Sequence, residues 1–249
     1  MGLFDALQVE SGVVAVVGAG GKKTTLYALA ARAARERSNR AVVTATVRIP
    51  IFDREVESVT VTDDPVAACE RAESWPVGVV PGREGEDRYL GYDPTVIDDI
   101  AAADAADLVL VKADGARMRE FKAPNDREPQ LPQSTDTVVP IASVGAVGKP
   151  LASEHVHRPE RVAAITGRDR GDRIRPVDVA RVLASDRGGL KGVPDGATVV
   201  PLLNKVDDAE QRAVGEEIAT EVLERAPPVE RVVLARMIGD EPVVDVLEG

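Results

Sequence analysis

Apolar runs bounded by turn residues recur along this chain, and the first, residues 12–17 (GVVAVV), is almost unbroken. A run that is apolar at nearly every position reads as a strand buried on both faces, as in a parallel sheet. Glycines follow at once. Leu26, Leu29, Ala30 and Ala33 then recur at helical spacing, which predicts a helix from about Thr24 that fades at Ser38 and Asn39. Residues 40–46 (RAVVTAT) are the next strand and complete a βαβ unit, whose crossover is right-handed. Strand-like runs recur at 58–62, 77–81, 107–112, 136–142, 197–203 and 231–235. Helical patterns fall at 64–74, 94–103, 159–165, 176–183 and 208–225, the last opened by Asp207 and Asp208, either of which can cap it. The alternation predicts an α/β fold: a mostly parallel sheet with helices on both faces, in a single domain over 1–249. Segments 113–134 and 143–158 lack regular pattern, and loops of that length in a compact domain are usually functional.

Composition narrows the classes. Aromatics are only 3% of the 249 residues, so the core must be built from Val, Leu, Ile and Ala. No stretch is apolar for the length of a membrane span, and the N-terminus has neither a basic start nor a cleavage site, so a cytoplasmic protein is expected. Cys69 is the one cysteine; it cannot form an internal disulfide or a cysteine metal cage and falls on an apolar helix face. Trp75 precedes a proline and is expected to plug a helix end. The net charge of −11 argues against non-specific binding to nucleic acid or anionic lipid. Arg outnumbers Lys 24 to 7, and the acids are spread along the whole chain, a surface suited to concentrated salt or the product of a codon bias.

The strongest local chemistry is Val17-Gly18-Ala19-Gly20-Gly21-Lys22-Lys23-Thr24-Thr25-Leu26, between the first strand and the first helix. Binding phosphate at such a turn needs small residues that let backbone N–H groups approach, a helix N-terminus, a lysine and a hydroxyl for Mg²⁺. All four are present, although the spacing departs from GxxxxGK[ST] in either register. Lys22 is taken as the phosphate lysine that neutralises the β and γ oxygens, with Thr24 or Thr25 supplying the metal hydroxyl. A glycine-rich turn without ligand, or a dinucleotide fold, is the alternative. Residues 107–115 (DLVLVKADG) follow a Walker-B layout, in which Asp114 holds Mg²⁺ directly or through water; a plain strand-to-turn Asp-Gly is the alternative. Arg117, Arg119 and Lys122 follow as candidate contacts to phosphate or to an anionic substrate, with a solvated basic face as the alternative. Residues 202–207 (LLNKVD) carry an NKxD pattern at the end of a strand. In such a pattern the Asp207 carboxylate would accept from the N1 and N2 donors of guanine, while Asn204 and Lys205 would fix the loop and cover the ring; a helix start with Asp207 as its cap is the alternative. The only histidines, His155 and His157, form an HxH pair that could ligate a metal, contact an anion or sit on an exposed turn.

Taken together these segments resemble the YqeC family, described as accessory proteins of selenium-dependent molybdenum hydroxylases. The likeness is carried by residues 17–26, 112–132, 144–166, 188–196 and 202–207, in order. The resemblance implies a P-loop NTPase-like protein. Gly18, Gly20, Gly21, Lys22 and Thr24 would form its phosphate loop, and Asp114, Gly115, Arg117, Lys122 and Pro124 its DGAR and KAP motifs. Gly148, Lys149, His155, His157, Arg158 and Pro159 would carry GKP and HVHRP motifs. Two positions depart from the family pattern: Lys23 stands where a hydroxyl residue usually follows the loop lysine, and Lys112 where an acid usually stands. The expectation is a GTP-preferring, Mg²⁺-dependent NTPase (ATP the other choice) serving a molybdenum hydroxylase as client. A nucleotide-loaded switch that does not hydrolyse, or a small-molecule kinase whose acceptor is gripped by Arg117, His157 or Arg158, is the alternative.

Overall fold

The computed structural model describes residues 1–37 and 39–249. Its strands are β1 (Gly12–Gly18), β2 (Ala41–Ala45), β3 (Ile49–Pro50), β4 (Ser58–Val61), β5 (Val77–Val80), β6 (Arg83–Glu84), β7 (Arg88–Tyr89), β8 (Leu108–Lys112), β9 (Phe121–Lys122), β10 (Thr135–Ser143), β11 (Val156–His157), β12 (Thr198–Val199), β13 (Leu202–Asn204), β14 (Arg231–Ala235) and β15 (Val243–Glu248). The helices are α1 (Leu3–Ala6), α2 (Lys22–Arg37), α3 (Pro65–Glu70), α4 (Pro94–Ala102), α5 (Pro159–Thr166), α6 (Pro176–Leu183) and α7 (Ala209–Arg225).

The main sheet runs in the order β15–β14–β13–β10–β1–β8–β2–β5–β4, with β12 pairing to β10 just before β13. Every neighbouring pair is parallel except β14 with β15. Strand alternation divides the core. Val14 and Val16 of β1 point to the face covered by α2, where Leu26, Leu29 and Ala33 meet them. Val13, Ala15 and Val17 point to the other face, against Ile97 and Ile100 of α4. Farther along that second face, Leu203 of β13 and Leu234 of β14 lie under Val179 of α6 and Ile218 and Val222 of α7. Because these positions are closed to water on both sides, the strands are apolar throughout; each aliphatic side chain so buried contributes about 1.5–3 kcal/mol. The α/β class and helices on both faces are as the sequence predicts. Cys69 is buried in the α3–α4 cluster, and Trp75 packs at its edge.

Several boundaries differ from those read in the pattern. Helix α2 starts at Lys22, two residues before Thr24, directly after Gly21; its expected fading point at Ser38 lies outside the described residues. Helix α3 stops at Glu70 rather than 74, where Arg71 caps it. The run 197–203 is two strands rather than one, because Pro201 has no N–H to give the ladder. The irregular segments hold short strands after all: β9 pairs in parallel with β11, Phe121 opposite Val156 and Lys122 opposite His157. A small antiparallel sheet, β3–β7–β6, forms an annex beside the end of β2. Two-residue strands carry no periodicity, and β15 and α1 are set by packing against the sheet rather than by local pattern.

Candidate functional site

Parallel strands all end at one edge of a sheet, so the loops after β1, β2, β8, β10, β13 and β14 open along a single rim. The loop after β1 lies at the middle of that rim.

This glycine loop is pressed against its neighbours. Gly18 and Gly20 have φ of +90° and +88°. A Cβ at Gly18 would run into the Ile141 carbonyl of β10, and one at Gly20 into Ser143 and the Glu120 carbonyl. Only glycine fits both the backbone conformation and the space. The Ala19 N–H donates to the Ile141 carbonyl at 2.8 Å, which fixes the loop's exit toward α2. The first turn of α2 holds Lys22 and Lys23 and no acid. Its leading N–H groups have no acceptor within the helix, and two cations beside the positive end of the helix dipole are unfavourable unless an anion joins them.

Lys22 is 5% exposed. Its Nζ donates to the Gly18 carbonyl and lies 3.0 Å from Asp114 Oδ1. Asp114, 1% exposed, accepts from the Gly18 N–H at 2.8 Å and pairs with Lys122 Nζ at 2.8 Å. Lys122 reaches on to Glu128 at 2.8 Å, and Glu128 to Arg158 at 2.6 Å. Burial by itself would raise the Asp114 carboxyl, but the charges of Lys22 and Lys122 and the Gly18 N–H overcome it and bring it down to about 2. The β9–β11 pairing is what brings Lys122 and Arg158 into one chain of contacts, and the Glu120 N–H reinforces it by donating to the His155 carbonyl at 3.0 Å. Burial, then Arg158 and Lys122, push His157 down to about 4, so it is neutral at pH 7.

At the other side of the loop, Asn204 Nδ2 donates to the Gly20 carbonyl at 2.8 Å, and its Oδ1 accepts from the Met237 N–H at 3.2 Å. Lys205, at φ +65°, sends its Nζ to Glu120 at 2.6 Å. Helix α7 is capped by Asp208, whose carboxylate accepts from the Gln211 N–H at 2.8 Å. Asp207 therefore has no capping duty, and its exposed side chain lines the cleft.

These groups surround one cleft of about 1480 Å³ that runs from the glycine loop to Asp207 on one side and to the annex on the other. Ten of its lining side chains are Lys or Arg and four are Asp or Glu, in a chain of net charge −11, so this face is built for an anion. Gly20, Gly21, Lys22, Lys23 and Thr24 line it, as do Arg117, His157 and Arg158. Thr25 does not: it is buried, with its hydroxyl on the Gly21 carbonyl at 3.2 Å. Lys122 and Asp114 stand behind the loop in the ion network, beside a cavity of about 20 Å³ that is large enough for one water. Lys149 is exposed away from the cleft, and His155 does not line it, so the HxH pair is divided. Glu120 and Glu128 belong to the site although nothing local marks them; each is one acid in a polar loop, placed by tertiary pairing.

The sequence pattern places magnesium on Thr24 and Asp114. The arrangement does not fit direct coordination by Asp114, a buried carboxylate already neutralised by two ammonium groups. Only the Thr24 hydroxyl opens to the cleft. Among the described residues no group of three His, Cys, Asp or Glu side chains could hold a metal ion.

The family profile described as YqeC protein matches residues 14–160 of this chain, from β1 through the glycine loop, Asp114 and Arg158. The chain belongs to the YqeC family. The uncharacterized protein YqeC of Escherichia coli (strain K12) is 27% identical over 208 residues, covering 83% of this chain and 80% of that protein. Among solved structures, the crystal structure of FtsY from Mycoplasma mycoides aligns over 96% of this chain at 14% identity, with a TM-score of 0.39; the chain spans 64% of its length. The YqeC match takes in the loop and the Asp114–Lys122–Arg158 network but ends before Asn204–Asp207. No helix among the described residues is long and apolar enough to cross a membrane.

Proposed function

We propose that this protein binds a nucleoside triphosphate, GTP in preference to ATP, with its phosphates on the glycine loop and its base toward Asp207. The observation that carries the reading is the pair Lys22 and Lys23 at the first turn of α2, facing a basic cleft in an acidic protein. Lys22 would leave Asp114 for the phosphates, while Lys122 and the Gly18 N–H keep the Asp114 carboxylate paired. The bound groups would be fixed in place before any chemistry, the condition under which charge neutralisation speeds phosphoryl transfer. Asp207, freed from capping by Asp208, would accept from guanine N1 and N2; an adenine N1 would meet it as a second acceptor.

On this reading the protein is a cytoplasmic NTPase of the YqeC family, and service to a selenium-dependent molybdenum hydroxylase is its proposed role. A second reading, a nucleotide-loaded switch with negligible turnover, is favoured by Lys112. This cation stands at the end of β8, where an activating acid would serve hydrolysis. The test is equilibrium binding of GTP, ATP and CTP with and without Mg²⁺, followed by phosphate release. Tight GTP binding with release supports the NTPase, and binding without release supports the switch. Failure of all three nucleotides to bind would remove the proposal. The spread of acids also supports a surface suited to concentrated salt, so the melting temperature should rise with KCl as self-repulsion is screened; a flat or falling curve would exclude that.

A further inference from the structure

The triphosphate reading uses half of the cleft, and the role of the other half rests on that reading. Sheet order fixes the direction: Asn204 ends β13, two strands to one side of β1, whereas Lys112 and Ala45 end β8 and β2, one and two strands to the other side. At about 4.8 Å per strand, the two ends of the cleft are roughly 19 Å apart. A nucleotide with its base at Asp207 and its terminal phosphate at Lys22 leaves the β8–β2 end open beyond that phosphate. A cleft of about 1480 Å³ exceeds the roughly 300–1,000 Å³ usual for one small ligand.

That open end is built around Lys112. Its side chain is 6% exposed yet lines the cleft. Its Nζ donates to the Arg48 carbonyl at 2.9 Å, and among the described residues it has no carboxylate partner and no second acceptor. Of the three buried lysines, Lys22 and Lys122 form ion pairs with the buried Asp114 carboxylate, and Lys112 forms none with it. A buried ammonium with unfilled N–H groups is costly unless a ligand completes it. The annex supplies the surroundings: Val47, Pro50 and Leu90 are partly exposed apolar wall, and the exposed Arg48 and Arg88, paired with Glu84 and Asp87, also line this part of the cleft.

We propose that the annex end of the cleft is a second binding site, for a small organic anion whose charged group pairs with Lys112 and whose body lies on Val47, Pro50 and Leu90. Such a molecule would sit on the far side of the terminal phosphate from the base. Burial and the neighbouring Lys22 bring the Lys112 amine down to about 7, so an arriving anion would hold its proton in place.

Inorganic phosphate is the probe. Calorimetric titration of phosphate into protein saturated with nucleotide should show saturable binding, weakened about tenfold or more in Lys112→Met, while nucleotide affinity in that variant changes much less. Lys112→Gln, which keeps an N–H donor but no charge, should lie between the two. Thermal melting of each variant confirms folding. Absence of phosphate binding to the saturated parent would overturn the proposal, as would phosphate binding that Lys112→Met leaves unchanged. An equal loss of nucleotide and phosphate would assign Lys112 to the terminal phosphate and likewise overturn it. Should the parent bind no nucleotide, the triphosphate reading falls alone. Phosphate titrated into the free protein then decides the annex site: loss with Lys112→Met but not Lys22→Met supports it, and the reverse removes it.

Discussion

Asn204 Nδ2 donates to the Gly20 carbonyl at 2.8 Å, joining two strand ends that lie 184 residues apart in the chain. The same amide accepts from the Met237 N–H with its oxygen, so one side chain ties the glycine loop to the ends of both β13 and β14. Gly21 is pressed against this amide closely enough to exclude a Cβ. The loop that would hold phosphates and the loop that would read the base are therefore tied together by one side chain.

Asn204→Ala should destabilise the fold by about 1–3 kcal/mol, because it leaves the part-buried Gly20 carbonyl and the buried Met237 N–H without their partner. It should weaken every nucleotide alike, since it unmoors the phosphate loop and leaves the Asp207 carboxylate unchanged. Denaturant unfolding and binding of GTP and ATP check this; weakening confined to GTP would contradict it.

Lys22→Ala should lower triphosphate affinity at least about tenfold, the value of a charge-assisted contact to phosphate. Asp114 keeps Lys122 and the Gly18 N–H, so the variant should stay folded. Lys23→Ala should cost less, because Lys23 is half-exposed at the cleft and not seated in the loop's ion pair. If Lys23→Ala proves the more damaging in equilibrium binding, Lys22 is not the phosphate lysine.

Asp207→Asn should weaken GTP by a few kcal/mol and improve xanthosine triphosphate, whose C2 oxygen an amide can meet as a donor. Stability should not change, since the helix cap is Asp208. Asp208→Ala should do the opposite: about 1 kcal/mol of stability lost and nucleotide choice unaltered. Equal binding of ATP and GTP by the parent, with no effect of Asp207→Asn on either, would remove guanine recognition.

Lys112 sets a pH dependence with a definite sign. In the folded protein burial first, then Lys22, lower its amine to about 7 from an ordinary 10.5. Between those values the unfolded chain binds a proton that the folded protein does not, so stability should rise as pH goes from about 7 toward 10. Lys112→Met should make that rise smaller, leaving the part due to Lys22, whose amine burial also lowers, and be the more stable protein at pH 7, by on the order of a few kcal/mol. Parallel melting curves of parent and variant across this range would show that the amine is not perturbed.

The layers and the place of the glycine loop are legible in the sequence. Continuous apolar runs can only be strands closed on both faces, and glycines between such a strand and a helical pattern mark a turn at the sheet's carboxyl edge. The letters NKVD could likewise be read locally, since they end an apolar strand. Their partner could not: that Asn204 binds Gly20 depends on β13 lying two strands from β1, with β10 between them, an order that no local pattern encodes. The same holds for the choice between Asp207 and Asp208 as cap, which the path of the backbone settles, and for Thr25, whose hydroxyl turns inward to Gly21. Glu128 and Lys112 owe their roles to tertiary structure alone. Glu128 sits in an irregular loop and meets Lys122 and Arg158 only because two-residue strands too short to carry a period bring the two long loops together. Lys112 is a polar end to an apolar strand until the fold buries it next to Lys22, and the charge that is left without a partner there is a property of three dimensions.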